Sequence, residues 1–461
     1  MWYKSTYWKR QDGFAWSSSR SPMRRCTLTY LFPLMLVVGA GCSKSPESPV
    51  SPPESMSPHR APSPSPRPVR DAAAVAPTRL ERMLSLPARL VPDPERIRFL
   101  VFGDSRAERC RCDPNRKHRK RCRVLLVPDA AKATEDCALV AQAPALVLGA
   151  VTDRLRPTTA TTGADRAQFS LFTGDLVYRG SCPKDWDWVR RVFLAQVDPS
   201  RVFPIIGNHD AWRRAGEPPP FPQFFRAFPH LRVQSQGRSV HPHYYAFRVG
   251  RSLFVNLCTG GYPRGGTRAD FERADRSWLC VRASFETQMR WMDRVLALGA
   301  TQGVRHVFVQ YHKPSFSCSS HPPLGVKHDP LTRLRSFKKS NPRVNVIAFS
   351  GHNHTTEVYL SGGVLVLVAG GGGAPQHLHH GPRACHEGKP GQPPERFWKG
   401  GVRTVRYNYF QVDVIGGRLS IQEHCLARNK DRLLFQKGSR ITATGQITHT
   451  PGACNLTRGR R

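Results

Sequence analysis

Five apolar runs, each short enough to be a buried strand and each ending on polar side chains, constrain this chain more than any other feature. Residues 99–102 close on Gly103-Asp104, residues 169–173 on Gly174-Asp175, and residues 203–206 on Gly207-Asn208-His209-Asp210. Residues 307–311 close on His312, and residues 344–350 on Gly351-His352-Asn353-His354. Each run thus presents polar side chains at the C-terminal edge of a strand, where open α/β sheets place their ligand sites. Gly-Asn-His-Asp alone is a common polar loop. Five strand ends of one design, carrying carboxylates, an amide and imidazoles, predict a single shared site. That donor set lacks thiolate and suits Fe, Mn, Zn or Mg rather than a structural zinc.

The ordered set resembles the calcineurin-like metallophosphoesterases, and its details resemble their purple acid phosphatase branch. The usual first block of the superfamily is Asp-x-His, whereas Asp104-Ser105-Arg106 has arginine in the place of the histidine. Gly174-Asp175-Leu176-Val177-Tyr178 matches the Gly-Asp-x-x-Tyr block of purple acid phosphatases, and the His312 and Gly351-His352-x-His354 blocks match the same branch. The resemblance covers roughly residues 97–420. It implies a four-layer αββα sandwich of two mixed sheets, an α/β (α+β) fold. It also implies two metal ions, Fe(III) with Fe(II), Zn or Mn. Carried over by residue, Asp104, Asp175, Tyr178 and His354 hold the ferric ion, with Asp175 bridging. Asn208, His312 and His352 complete the divalent site. His209 lies outside the metal shell facing the phosphoryl or leaving-group oxygens, Asp210 orients it, Arg106 spreads charge on the transition state, and His321 is a substrate-side histidine. Two alternatives stay open: His321 as a solvated loop residue, and Tyr178 packed at the pocket rim, since its block also resembles that of other metallophosphatases.

The implied activity is dinuclear phosphoester hydrolysis, first of monoesters in the manner of an acid phosphatase. A phosphodiesterase of the same superfamily and a non-catalytic surface binder of phosphorylated ligands are the alternatives. The phosphorylated substrate is the expected partner. Nine Lys or Arg among residues 106–123, in a chain of formal charge +37, could attract polyanions. Nucleic acid is not favoured, because arginine is abundant throughout and no aromatics interleave the run.

Residues 1–42 read as an export segment starting at Met23: Arg24-Arg25, an apolar core over residues 28–38, then Gly39-Ala40-Gly41-Cys42. The last four resemble a bacterial lipoprotein box, implying a lipid on Cys42 and a place in the cell envelope; ordinary cleavage and release is the alternative. A Pro/Ser-rich linker over 43–96 cannot bury enough apolar surface to fold. The catalytic domain is expected over 97–424, with a basic insertion near 106–137 stapled through Cys110, Cys112, Cys122 and Cys137, and a poorly periodic basic tail over 425–461 held by a Cys425 and Cys454 pair. Helices are expected over 79–86, 138–155, 185–197, 285–298 and 331–339, and a hairpin over 244–257. Strands are expected over 356–360, 364–369, 402–414 and 418–422. Gly370 to Gly373 would let backbone approach the site closely. His377, His379, His380 and His386 read as a solvated loop.

Overall fold

A computed structural model describes residues 83–106, 133–156, 166–259, 282–319, 329–376, 396–397 and 407–450 with short breaks, and Cys454. The expected export segment, linker, basic insertion, His321 and the His377–His386 cluster lie outside the described residues, and so does the Cys137 side chain.

Strands β1 (Met83–Leu84), β2 (Arg96–Phe102), β3 (Phe169–Phe172) and β4 (Val202–Pro204) are followed by a small ribbon, β5 (Val233–Ser235) and β6 (Arg238–Val240). Then come β7 (Tyr245–Val249), β8 (Ser252–Asn256), β9 (His306–Gln310), β10 (Asn345–Ser350), β11 (Thr356–Ser361) and β12 (Val364–Ala369). The last are β13 (Arg396–Phe397), β14 (Asn408–Ile415), β15 (Arg418–Asn429), β16 (Arg432–Thr442) and β17 (Ile447–Thr448). The described α-helices are α1 (Ala133–Leu155), α2 (Pro183–Val189), which a π-helical turn (Arg190–Leu194) continues, α3 (Phe221–Ala227), α4 (Arg282–Thr301) and α5 (Leu331–Ser340). One sheet runs β1-β7-β8-β9-β10-β12-β11-β13 and the other β17-β16-β15-β14-β2-β3-β4, both mixed.

The two sheets face each other through phenylalanine. Phe99 stacks on Phe169 within one sheet and meets Phe254 and Phe308 of the other edge-on, at centroid distances of 5.3 and 5.0 Å. Phe203 lies 4.4 Å from Phe247. Because side chains alternate along a strand, Leu253, Val255, Val307 and Val309 turn to the opposite face, where they pack with Met289, Met292, Val295 and Leu296 of α4 and Leu331 and Leu334 of α5. Likewise Phe102 meets Phe193 on the outer side of its sheet. Helix, sheet, sheet, helix is the layered sandwich that two apolar sheet faces require.

Two expectations are corrected. Residues 83–84 are not helical: they add to the sheet edge parallel to β7, Met83 opposite Ala246, so tertiary pairing prevails over a short local helix pattern. The expected tail is in part sheet. β15 continues to Asn429, and β16 and β17 extend the same sheet; their alternation is masked by Arg, Lys and Gln, which suit an outer strand. Cys425 and Cys454 do form a disulfide. Helix α1 runs through Pro144, where a kink or later start is expected from the lost N–H.

Candidate metal centre

The strand ends meet. β2, β3 and β4 point their C-terminal edges to the same side, and β9 and β10 bring the second sheet's edge to it. Three turn residues adopt left-handed backbone although none is glycine: Asp104 (φ 57°), Asp175 (φ 62°) and His352 (φ 67°). Such geometry is costly for a residue with a Cβ and persists where the surroundings enforce it. Here the enforcement is visible. Asp104 N–H donates to Gly174 O (2.9 Å), and Asp104 Oδ2 accepts from His352 N–H (2.8 Å). At Gly207 a Cβ would run into the Asp175 carboxylate, so only glycine lets the two turns nest.

Asp175 Oδ1 lies 3.3 Å from His312 Nε2, and Asn208 Oδ1 lies 2.9 Å from that same nitrogen and 2.7 Å from His352 Nδ1. His312 donates its Nδ1–H to Thr173 O at 2.8 Å, so its Nε2 carries a lone pair. Burial pushes His312 down to about 4, which keeps the ring neutral. A carboxylate, an amide oxygen and an imidazole nitrogen, each able to ligate a metal, therefore converge on one point, with Asp175 Oδ1 and Asn208 Oδ1 at 3.3 and 2.9 Å from His312 Nε2. This position fits a divalent ion.

Beside it lies a buried cluster of Asp104, Asp175 and His354, whose ligand atoms are within 4.8 Å of one another. His354 directs Nδ1–H to Pro375 O (2.5 Å), leaving Nε2 to face Asp104 Oδ1 at 3.6 Å. Asp104 Oδ1 has no hydrogen-bond partner. Burial, then the neighbouring Asp175, raises Asp104 well above the usual carboxylate range. Arg106 enters this cluster: Nη2 is 3.0 Å from His354 Nε2, Nη1 is 3.2 Å from His209 Nδ1, and Nε is 3.9 Å from Asp175 Oδ2. Its guanidinium carbon stands 5.6 Å from the centre of the Tyr178 ring.

The Tyr178 ring packs with His209 and Trp212, each at 5.2 Å. Asp210 commits its carboxylate to backbone. Its carboxylate accepts backbone N–H from Asp175 and Gly207 (2.8 and 2.9 Å) and from Leu176 and Val177 (2.9 and 3.2 Å), and it joins two turns instead of orienting His209. Burial and Asp175 push it up to about 6. His209 is held instead by the Tyr178 carbonyl, which accepts Nδ1–H at 2.6 Å, while its backbone N–H donates to Asp175 Oδ1 at 2.8 Å. The proton chemistry of that ring belongs to Nε2.

Sequence reasoning missed the three carbonyls, of Thr173, Pro375 and Tyr178, that fix the histidine tautomers, because backbone acceptors carry no residue signature. It also missed Trp212. The glycine run does approach closely: Gly372 N–H donates to Gly103 O (2.9 Å), Ala374 N–H to Asp104 O (2.8 Å), and a Cβ at Gly372 would collide with the Gly103 carbonyl.

Residues 147–356 match the family model for calcineurin-like phosphoesterases, a span that contains Asp175, Asn208, His312, His352 and His354 but not the Asp104–Arg106 turn. No curated protein matches the chain. Similar solved structures include a purple acid phosphatase from yellow lupin (Lupinus luteus) seeds at 13% identity and TM-score 0.43, with 77% of this chain and 53% of that one covered. The chain thus spans about half the length of the lupin protein. PhoD follows at 9% identity and TM-score 0.41, with 78% and 74% covered. GAP50, the anchor in the inner membrane complex of Plasmodium, stands at 12% and 0.37, with 79% and 90% covered.

Proposed function

We propose that this chain, a calcineurin-like phosphoesterase by its residues 147–356, hydrolyses phosphate monoesters first and diesters second. The observation that carries the reading is the convergence of Asp175 Oδ1 and Asn208 Oδ1 on the buried His312 Nε2, at 3.3 and 2.9 Å. A Zn, Mn or Fe(II) ion suits that position. It would supply Lewis-acid polarisation of a phosphoryl oxygen and acidify water. An Fe(III) held by Asp104, Asp175, His354 and Tyr178 is the sequence's expectation for the neighbouring position, where Arg106 now stands.

The chain's own residues account for the rest. Asp175 holds the His209 backbone, and the Tyr178 carbonyl fixes its ring, so Nε2 is presented to carry a proton to the departing oxygen. Arg106 brings a permanent positive charge to the side of the site that faces His209, where phosphoryl charge develops. Export and a lipid on Cys42 remain part of the proposal, on the Arg24-Arg25, apolar-core and Cys42 pattern. The Cys425–Cys454 disulfide supports an oxidising compartment.

The test is turnover of an aryl phosphate against an aryl phosphodiester by metal-loaded protein. Monoester turnover that disappears in His312→Ala together with bound metal is expected. Full metal occupancy with neither ester cleaved would favour the non-catalytic binder. For the anchor, labelled lipid should enter the parent protein and not Cys42→Ser; equal labelling of the two would exclude Cys42 as the site.

A further inference from the structure

We propose that Arg106 takes the place of one of two metal ions, so that the site is built for a single divalent cation at Asp175, Asn208, His312 and His352 beside a fixed guanidinium at Asp104, Asp175 and His354. The proposal rests on the hydrolase reading above and alters its metal count.

The imidazole of His354 decides the matter. Its Nδ1–H is committed to Pro375 O at 2.5 Å, so Nε2 has one in-plane lone pair. Arg106 Nη2 sits on that lone pair at 3.0 Å. A ligated metal would sit on the same lone pair at about 2.0–2.1 Å, and the two cannot share it. The charge count agrees. Asp104, Asp175 and the buried Asp210 beside them supply three carboxylates; one divalent ion and Arg106 balance them, whereas a trivalent ion added to these would leave three uncompensated positive charges in a buried place. Arg106 itself is only 7% exposed, and a buried guanidinium is stable only among acceptors such as these.

The position of Arg106 in the chain makes the substitution specific. It stands two residues after Asp104, where the superfamily's first block has its histidine ligand. The side chain thus removes a ligand and supplies a cation with the same change. Tyr178, which the purple acid phosphatase pattern would use as the compensating ligand, lies against the guanidinium through its ring, 5.6 Å from centroid to Cζ, in a cation–π arrangement. Unlike a metal, the guanidinium cannot be chelated away or oxidised. It offers a planar set of N–H donors to the phosphoryl oxygens of a substrate held by the single ion.

The experiment uses the full chain, saturated with Zn or Mn, freed of excess and analysed for metal per chain. One ion is expected in the parent protein and two in Arg106→Ala and Arg106→His. Two ions in the parent, or one in the parent and in both variants, overturns the proposal. No ion in the parent, or one that survives Asn208→Ala and His312→Ala, overturns the hydrolase site itself, so the two failures are distinct. An iron-loaded, oxidised sample gives an independent reading. No visible absorption that depends on Tyr178 is expected in the parent, and a band that Tyr178→Phe bleaches would restore the tyrosinate–Fe(III) site. Should the Arg106 variants fail to fold, the parent's metal count and spectrum decide alone.

Discussion

Asp104 concentrates two costs in one residue. Its backbone is left-handed, and its carboxylate is fully buried with Oδ1 unpartnered, so an unloaded site is a strained and poorly solvated place. Asp104→Asn keeps an oxygen for the His352 N–H, tolerates the left-handed backbone and removes the buried charge. It is expected to raise the melting temperature of the metal-free protein near pH 7 while lowering turnover, which paired thermal melts and assays would check. His209→Ala is expected to lower kcat by roughly 10²-fold, the usual scale for a positioned acid, with metal content unchanged. If that variant instead loses the metal, His209 belongs among the ligands. At this scale the sequence showed which side chains end the strands, because glycine and a polar residue after an apolar run is a local pattern. It could not show what Asp210 and Arg106 touch. Asp210 binds four backbone N–H groups, which no residue name encodes, and Arg106 reaches His354, 248 positions away.

His230 illustrates what single elements contribute. It lies in the 3₁₀ turn Pro229–Leu231, its ring edge-on to Phe203 at 5.5 Å, and its Nε2–H donates to Val202 O. Burial pushes it down to about 4. A histidine depressed in the folded state stabilises that state above the unfolded value near 6.5, and the contribution is lost as pH falls from there through about 4. The loss is up to roughly 3 kcal/mol for such a shift. Denaturant titrations at pH 7 and pH 4.5 should show a smaller acid-induced loss in His230→Gln than in the parent; an equal loss would place the acid sensitivity elsewhere. Gly372→Ala is expected to be destabilising and to weaken metal retention, because its Cβ meets the Gly103 carbonyl next to Asp104. The long helices and central strands were legible from periodicity over ten or more residues, or from uniform apolarity. The two-residue β1, which exists through pairing with β7 distant in sequence, and the basic second half of β15 with β16, whose alternation is masked by charged residues, were not.

At the scale of the whole molecule, the Cys425–Cys454 disulfide closes a loop of 29 positions around β16 and β17. Chain-entropy arguments assign such a loop roughly 3–4 kcal/mol. Cys454→Ser is therefore expected to lower the melting temperature by several degrees and to leave the metal count unchanged. The order of strands in that same sheet has a further consequence, for synthesis. β2 lies between β3 and β14. Arg98 of β2 donates its backbone N–H to Gln168, 70 positions on, beside β3, whereas its ion pair with Asp413 of β14 spans 315 positions. A ribosome making this chain exposes one edge of the strand before Asp104 until residues near 415 have emerged. Open edges of this kind recruit other chains. Chains stopped before Asn408 should accumulate as insoluble material, and Asp104, among the first of the metal-centre residues to be made, is among the last to be seated.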